Sequence, residues 1–234
     1  MSGVAVAPLL FTPAAVIFDM DGLMLDSERA YTAAMADAAK DLGHDLPQAL
    51  WLTMIGRGEQ VCRQLLAEQI GDSQAQALLD LADERYESLA ASGIQHRPGI
   101  VPMLKYLTAH DIPLAVATST RNPLATTKLQ AAGLLDWFDA ICTSSDVAQA
   151  KPAPDVYLLA AQRLGVAPEQ CLVLEDSPTG VRAALAAGMT PIQVPDLLAP
   201  DLDTRALGHR IVESLSEAQT LLQARLAAIT TPLR

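Results

Sequence analysis

Cysteine is scarce in this 234-residue chain: Cys62, Cys142 and Cys171 lie far apart and form no CxxC pair. No histidine is close enough in sequence to complete a zinc site with any of them. We therefore expect reduced, buried thiols, which are typical of a cytoplasmic protein. A run of about 18 uninterrupted apolar residues is also missing, so the sequence predicts no transmembrane helix.

Basic residues are few as well. The chain has 16 Lys and Arg residues against 27 Asp and Glu residues, for a formal net charge of −11. A protein with this charge balance lacks the basic surface by which proteins bind nucleic acids, and an anionic membrane surface repels it. Because half of the residues are hydrophobic, the chain can bury a large core and is not intrinsically disordered as a whole.

Short apolar runs alternate with helical patterns, which is typical of a parallel sheet built from βαβ units. Runs such as Ala14–Phe18 and Cys171–Leu174 are apolar throughout, as buried parallel strands are. The predicted strands are Ala14–Phe18, Leu114–Ala117, Ala140–Cys142, Cys171–Leu174, Pro191–Val194 and Arg210–Val212. Helices are predicted from Pro123, from Pro154, over Ser177–Ala187 and over Ser214–Ile229.

Strand patterns disappear between Glu28 and about residue 97, where only helical periodicity remains. The predicted buried faces of these helices are Tyr31, Met35, Ala38 and Leu42; then Val61, Leu65 and Leu66; then Leu78, Ala82, Tyr86 and Leu89. The sequence thus predicts an all-helical insertion, residues 27–97, in an α/β domain made of residues 1–26 and 98–234. We expect hinges near Asp26 and Arg97.

Carboxylates follow two of the predicted strands. Asp19 and Asp21 come after the first strand, and Glu175 and Asp176 close the fourth. The carboxyl ends of parallel strands share one edge, where open α/β folds bind ligands. Two carboxylates 4 Å apart repel by about 4 kcal/mol at an effective dielectric near 20, so this group calls for a cation such as Mg²⁺. Taken singly, each pair also fits an acidic loop or a helix cap.

A hydroxyl stretch and a lysine occupy similar positions. Thr118, Ser119 and Thr120 follow the second strand, and Lys151 stands in a loop stiffened by two prolines. Hydroxyls and free N–H groups bind phosphate oxygens, and a fixed ammonium screens a phosphoryl group. Alone, the first pattern also fits a helix N-cap and the second a solvated turn lysine.

Four motifs resemble the signature motifs of the haloacid dehalogenase superfamily. In chain order they are FDMDG, ATST, KPAPD and LEDSPTG. The helical insertion resembles the cap of its β-phosphoglucomutase-like phosphatases. The resemblance covers nearly the whole chain. It implies a Rossmann-like, three-layer α/β/α parallel-sheet core with an inserted helical cap domain, and Mg²⁺-dependent chemistry on a small phosphorylated metabolite.

The resemblance also implies residue roles. Asp19 is expected to be the nucleophile that forms an aspartyl-phosphate, and Asp21 the general acid and base. Mg²⁺ is expected to bind Asp19, the backbone carbonyl of Asp21, Asp176 and Glu175, the last directly or through water. Thr118, Ser119 and Lys151 are expected to hold the phosphoryl group, with Thr118 and Lys151 counted among the catalytic residues.

The leaving group distinguishes the activities within this superfamily. An acid at position 21 favours phosphate esters over halides or phosphonates. A sugar phosphomutase is the alternative to a sugar phosphatase, but Tyr31 stands where β-phosphoglucomutase has a histidine. A non-catalytic binding protein of the same fold is a second alternative. Glu28 and Arg57 are candidates for contacting the distal part of the substrate, and we expect a monomer.

Overall fold

The fold is built on a six-stranded, fully parallel sheet. The computed structural model describes residues 9, 11–54 and 59–230, leaving out the side chains of residues 59 and 227–230. The spatial order of the strands is β3-β2-β1-β4-β5-β6. Their bounds are β1 Ala15–Phe18, β2 Leu114–Ala117, β3 Ala140–Cys142, β4 Cys171–Glu175, β5 Thr190–Gln193 and β6 Arg210–Ile211. The prediction of a parallel α/β fold is confirmed, and each strand lies within one residue of its predicted bounds.

Two helical layers cover the sheet. Alternate residues of β1 point to opposite faces, so Val16 and Phe18 join one buried cluster while Ala15 and Ile17 join another. The first cluster includes residues of α5, α6 and α10, and the second includes residues of α7 and α8. These helices span α5 Ile100–Thr108, α6 Leu124–Ala131, α7 Asp155–Leu164, α8 Pro178–Ala186 and α10 Leu215–Thr230, with the short α9 at Leu202–Arg205. The result is the predicted three-layer arrangement.

Between β1 and α5 the described chain is helical and has its own cluster of buried side chains. The helices are α1 Ser27–Asp41, α2 Gln48–Met54, α3 Glu59–Ile70 and α4 Asp72–Ser92. Met35, Leu66, Leu78 and Ala82 are buried among them. We call residues 27–97 the helical segment. Within the described chain, none of the helices combines the length and apolarity needed to cross a membrane.

The two connections to the helical segment pair with each other. Leu25 and His96 form an antiparallel bridge. The amide of Asp26 donates to the carbonyl of Gln95 at 2.9 Å, and the amide of Arg97 donates to the carbonyl of Met24 at 2.8 Å. Both connections therefore leave the sheet side by side, at the end where β1 meets its acidic loop.

Candidate active site

The polar residues that follow the strands meet in one cleft of about 210 Å³. Asp19 follows β1, Thr118 follows β2, and Glu175 ends β4 with Asp176 after it. The described chain places eight of the nine predicted site residues in the wall of this cleft: Asp19, Asp21, Glu28, Thr118, Ser119, Lys151, Glu175 and Asp176. The ninth, Arg57, lies outside the described residues. The sheet topology thus unites motifs that are up to about 150 residues apart.

Lys151 lies at the centre of the buried charges. Its ammonium donates to Asp19 Oδ1 at 2.5 Å, Glu175 Oε1 at 2.8 Å and the carbonyl of Ala117 at 3.0 Å. These three bonds match the three donors of an ammonium group. Burial lowers the pKa of Lys151, but Asp19 and Glu175 outweigh burial and hold the pKa well above its usual value. The lysine is therefore a fixed positive charge with a side chain that is only 4% exposed.

Three carboxylates, those of Asp19, Glu175 and Asp176, each offer an oxygen within 4.8 Å of the others. Burial, opposed by Lys151 and reinforced by Glu175 and Asp21, raises the pKa of Asp19 to about 7. Burial and the charges of Glu175 and Asp19 raise the pKa of Asp176 well above its usual value. When all three are ionised, the carboxylates carry more negative charge than Lys151 balances. Hard oxygen ligands with an unbalanced charge fit Mg²⁺.

Two glycines make room for these carboxylates. Gly22 has a φ of +80°, and a Cβ atom there would collide with the carboxylate of Asp176. Gly180, in the first turn of α8, packs against Glu175 so closely that a Cβ atom would overlap its carboxylate. Glu175 in turn accepts from the amide of Ser177 at 2.7 Å. The glycines of the first and fourth motifs are therefore needed for the shape of the acidic cluster.

Asp21 has a separate set of partners. Oδ1 forms an ion pair with the ammonium of Lys128, and Oδ2 accepts from the hydroxyl of Thr120 at 2.5 Å. Burial raises the pKa of Asp21, but the charge of Lys128 and hydrogen bonds from Lys128, Thr120 and Ser27 outweigh it. The pKa consequently lies below its usual value, and the group is a carboxylate in this arrangement.

The remaining predicted residues differ in their surroundings. Thr118 is buried, and its hydroxyl oxygen accepts from the amide of Thr120 at 3.0 Å, whereas Ser119 is exposed. Burial and the charges of Asp21 and Asp196 raise the pKa of Glu28. Tyr31 donates to Asp83 at 2.7 Å. Among the described residues of the helical segment, Glu28 is the one in the wall of the cleft.

Lys128, Tyr157 and Asp196 have contacts at the site but were not predicted from the sequence. Thr120 belongs to the predicted hydroxyl stretch, and its hydroxyl donates to Asp21. Tyr157 donates to Glu175 Oε1 at 3.1 Å. Asp196 lines the cleft and pairs with Arg29 and Arg97. Asp196 follows β5, so the rule that found the other acids would also have found it. Lys128 had a weaker signal, a lysine between Ala125 and Leu129 on a buried helix face.

Comparison with known proteins agrees with this site. Residues 13–188 match the model of the haloacid dehalogenase-like hydrolase family. The chain is 31% identical over 220 residues to the phosphorylated carbohydrates phosphatase of Thermotoga maritima, covering 93% of this chain and 94% of that protein. It is 33% identical over 214 residues to hexitol phosphatase A of Escherichia coli, covering 88% and 97%.

Among solved structures, a HAD family hydrolase from Deinococcus radiodurans with bound phosphate and sodium superposes with a TM-score of 0.78. The two chains are 30% identical, and the match covers 94% of this chain and 98% of that one. The chain belongs to the haloacid dehalogenase-like hydrolases, in the phosphatase subgroup of that family, and is a phosphoric monoester hydrolase.

Proposed function

We propose that this protein is a Mg²⁺-dependent phosphatase that hydrolyses a small phosphorylated metabolite, most simply a sugar phosphate, through an aspartyl-phosphate. One observation carries the proposal: Lys151, the buried carboxylates of Asp19 and Glu175 and the half-buried carboxylate of Asp176 surround one small cleft at the carboxyl edge of the sheet. The names of the Thermotoga and Escherichia relatives, a carbohydrate phosphate phosphatase and a hexitol phosphatase, support this substrate class.

Asp19 is the proposed nucleophile. Its position directly after β1 fixes the backbone, and the bond from Lys151 holds one carboxylate oxygen in place. Attack by the other oxygen on the phosphorus would expel the alcohol and leave a phosphoryl group on Asp19. Lys151 and the hydroxyl of Thr118 are placed to hold oxygens of the transferring group, and Ser119 lies beside them.

Asp21 is the proposed proton carrier. In the first step it gives a proton to the departing alcohol, and in the second step it takes one from the attacking water. Its lowered pKa favours the carboxylate form, which suits the second step. Asp21 also lines the same cleft as Asp19, two positions further along the chain.

The metal site is assigned to the carboxylates of Asp19, Asp176 and Glu175, with the backbone carbonyl of Asp21. When bound, Mg²⁺ would offset the charge of these carboxylates and of the phosphoryl oxygens. The support is the cluster itself: three oxygens within 4.8 Å of one another, and raised pKa values for Asp19 and Asp176.

Specificity is assigned to the helical segment, which we propose is a cap domain on a core of residues 1–26 and 98–234. Glu28 already lines the cleft from this segment, and Arg57 is a further proposed substrate contact. The paired connections at Asp26 and Arg97 are the proposed hinges. Closure there would exclude water while the leaving group departs. The buried cysteines support our proposal of a cytoplasmic protein. We also propose that the protein is a monomer.

The test is hydrolysis of p-nitrophenyl phosphate and of a panel of phosphorylated sugars and polyols. We expect phosphate release with Mg²⁺ and none with EDTA. Asp19→Asn should abolish turnover, and Asp21→Asn should lower kcat by about 10²–10⁴-fold, the usual range for a positioned proton carrier. Asp80→Asn, an exposed carboxylate of α4, is the matched control.

Each alternative has its own outcome. Turnover by Asp19→Asn would contradict the nucleophile, and a normal rate for Asp21→Asn would contradict the proton carrier. Conversion of β-glucose 1-phosphate to glucose 6-phosphate without phosphate release would favour a mutase. Binding of Mg²⁺ without activity on any substrate would favour a non-catalytic protein.

A further inference from the structure

A buried lysine outside the four motifs touches the proposed proton carrier. Lys128 lies on α6 and has a side chain that is 2% exposed. Its ammonium forms an ion pair with Asp21 Oδ1. A lysine is rarely buried unless it is paired, because removing its charge from water is costly. The position of this ammonium is therefore tied to Asp21, although the two residues are 107 positions apart.

The surroundings of Lys128 keep the ammonium in place. Its Nζ lies 5.2 Å from the ring centroid of Tyr86, which comes from α4 of the helical segment. The ring of Tyr86 packs edge-on against Tyr31, with centroids 5.2 Å apart. An aromatic face attracts a cation at this distance. Lys128 is thus held between the helical segment on one side and Asp21 on the other.

The carboxylate of Asp21 is held at both oxygens. Lys128 occupies Oδ1 and the hydroxyl of Thr120 occupies Oδ2, so the carboxylate plane has two fixed points. Without Lys128, Oδ1 would lose its charged partner, and the carboxylate could rotate about its side-chain bonds. Proton transfer depends on such alignment, and a misplacement of about 1 Å can cost about 10²-fold in rate.

We propose that Lys128 is a positioning residue, which orients the Asp21 carboxylate for hydrolysis of the aspartyl-phosphate. This inference rests on the proposed function. In that step a water oxygen bonds to phosphorus, the bond between phosphorus and Asp19 Oδ breaks, and the water proton passes to Asp21. Asp19 leaves as a carboxylate, and inorganic phosphate is the product.

The test separates the two half-reactions of Lys128→Met with p-nitrophenyl phosphate and Mg²⁺. Because nitrophenolate leaves readily without a proton, kcat/KM reports the first step and should stay within about threefold. The second step should slow, so kcat should fall by about 10- to 100-fold and KM should fall with it. Rapid mixing should show a burst of nitrophenolate close to one per enzyme, and mass spectrometry should show the phosphorylated chain.

Matched variants complete the design. Lys128→Arg keeps the positive charge and should recover part of kcat, while Lys105→Met removes an exposed lysine from α5 and should change nothing. In an Asp21→Asn background, Lys128→Met should lower kcat by less than about threefold further, because the residue acts through Asp21. If Lys128→Met proves too unstable, Lys128→Gln is measured in the same way.

Equal losses in kcat and kcat/KM without a burst would show a structural role alone and overturn the inference. An unchanged kcat, or additive losses with Asp21→Asn, would also overturn it. Absence of phosphatase activity in the wild-type protein, or a fully active Asp21→Asn, would instead refute the proposed function.

Discussion

Protons and Mg²⁺ should compete for the acidic cluster. The competition should be visible when the pH is varied between 6 and 8. Asp19 titrates in this range, because burial and its charged neighbours raise its pKa to about 7. A metal ion needs the deprotonated oxygen, so binding must displace any proton from Asp19. The apparent affinity for Mg²⁺ should therefore fall as the pH falls through 7.

The magnitude follows from that pKa. At pH 6 a group with a pKa of about 7 is protonated about nine-tenths of the time, and at pH 8 about one-tenth. The apparent Kd for Mg²⁺ should thus be about tenfold weaker at pH 6 than at pH 8 through Asp19 alone. Asp176, whose pKa is also raised, adds to this dependence.

The raised pKa of Asp19 also determines whether rising pH stabilises or destabilises the folded protein. Between about pH 4 and pH 7 the folded protein holds a proton on Asp19 that the unfolded chain has released. Rising pH therefore lowers the stability of the metal-free protein through this group. Saturating Mg²⁺ should remove that contribution, since the bound ion replaces the proton.

Isothermal titration calorimetry at pH 6, 7 and 8 measures the competition directly. Repeating each titration in two buffers of different ionisation enthalpy counts the protons released. Asp80→Asn, on the exposed face of α4, should keep the full pH dependence, whereas Asp176→Asn should bind more weakly with a shallower dependence. An affinity that stays constant from pH 6 to pH 8, with no proton release, would show that protons and Mg²⁺ do not compete for the cluster.

Two further predictions concern Lys151 and Gly180, which contact the carboxylates of the acidic cluster. Lys151→Met should destabilise the metal-free protein by about 3–5 kcal/mol in urea denaturation, because it leaves Asp19 and Glu175 buried without their cation. A loss below about 1 kcal/mol would show that the lysine does not stabilise these buried carboxylates. Gly180→Ala should lower both the melting temperature and the Mg²⁺ affinity, because the new methyl group overlaps the carboxylate of Glu175. Wild-type Mg²⁺ affinity in that variant would show that the cluster tolerates the displacement.

The strands were predictable because the physics that forms them is local. Buried parallel strands are continuous apolar runs, so Leu114–Ala117 and Ala140–Cys142 were predicted with their observed bounds. The acids were predictable for a related reason: they lie at or just after the ends of β1 and β4, and the parallel topology brings strand ends together. Lys151 lies in the longer connection from β3 to α7, which leaves the same edge of the sheet. The prediction required no knowledge of side-chain contacts.

Helix faces were harder to predict. Leu42, Val61 and Leu89 were expected on buried faces but are 36%, 40% and 41% exposed. Periodicity shows that a helix has an apolar side, but its partner decides how far that side is covered. The observed bundle covers Met35, Leu66 and the middle of α4 and leaves the outer apolar residues in contact with water.

Long-range polar pairs were missed for a different reason. Thr120 and Lys128 belong to the loop after β2 and to α6, yet both bind a carboxylate about a hundred positions earlier. Such pairs leave no periodic trace in a single sequence. Only the placement of a lysine between buried Ala125 and Leu129 hinted that its charge had a partner.

The charges around the cleft explain how so acidic a protein can accept a phosphate ester. Six carboxyl groups line the cleft, those of Asp19, Asp21, Glu28, Glu175, Asp176 and Asp196. Asp196 pairs with Arg29 and Arg97. Two ammonium groups pair with three of these carboxylates: Lys151 with Asp19 and Glu175, and Lys128 with Asp21.

Both lysines are thus already engaged. When all six carboxyl groups are ionised, their six negative charges against the four positive charges of Lys128, Lys151, Arg29 and Arg97 leave an excess of two. A phosphate group entering this field is repelled unless a further cation accompanies it. A divalent ion bound at the oxygen cluster would supply that charge. We therefore expect the metal to be needed for substrate binding as well as for chemistry, so chelation should abolish phosphate binding and not turnover alone.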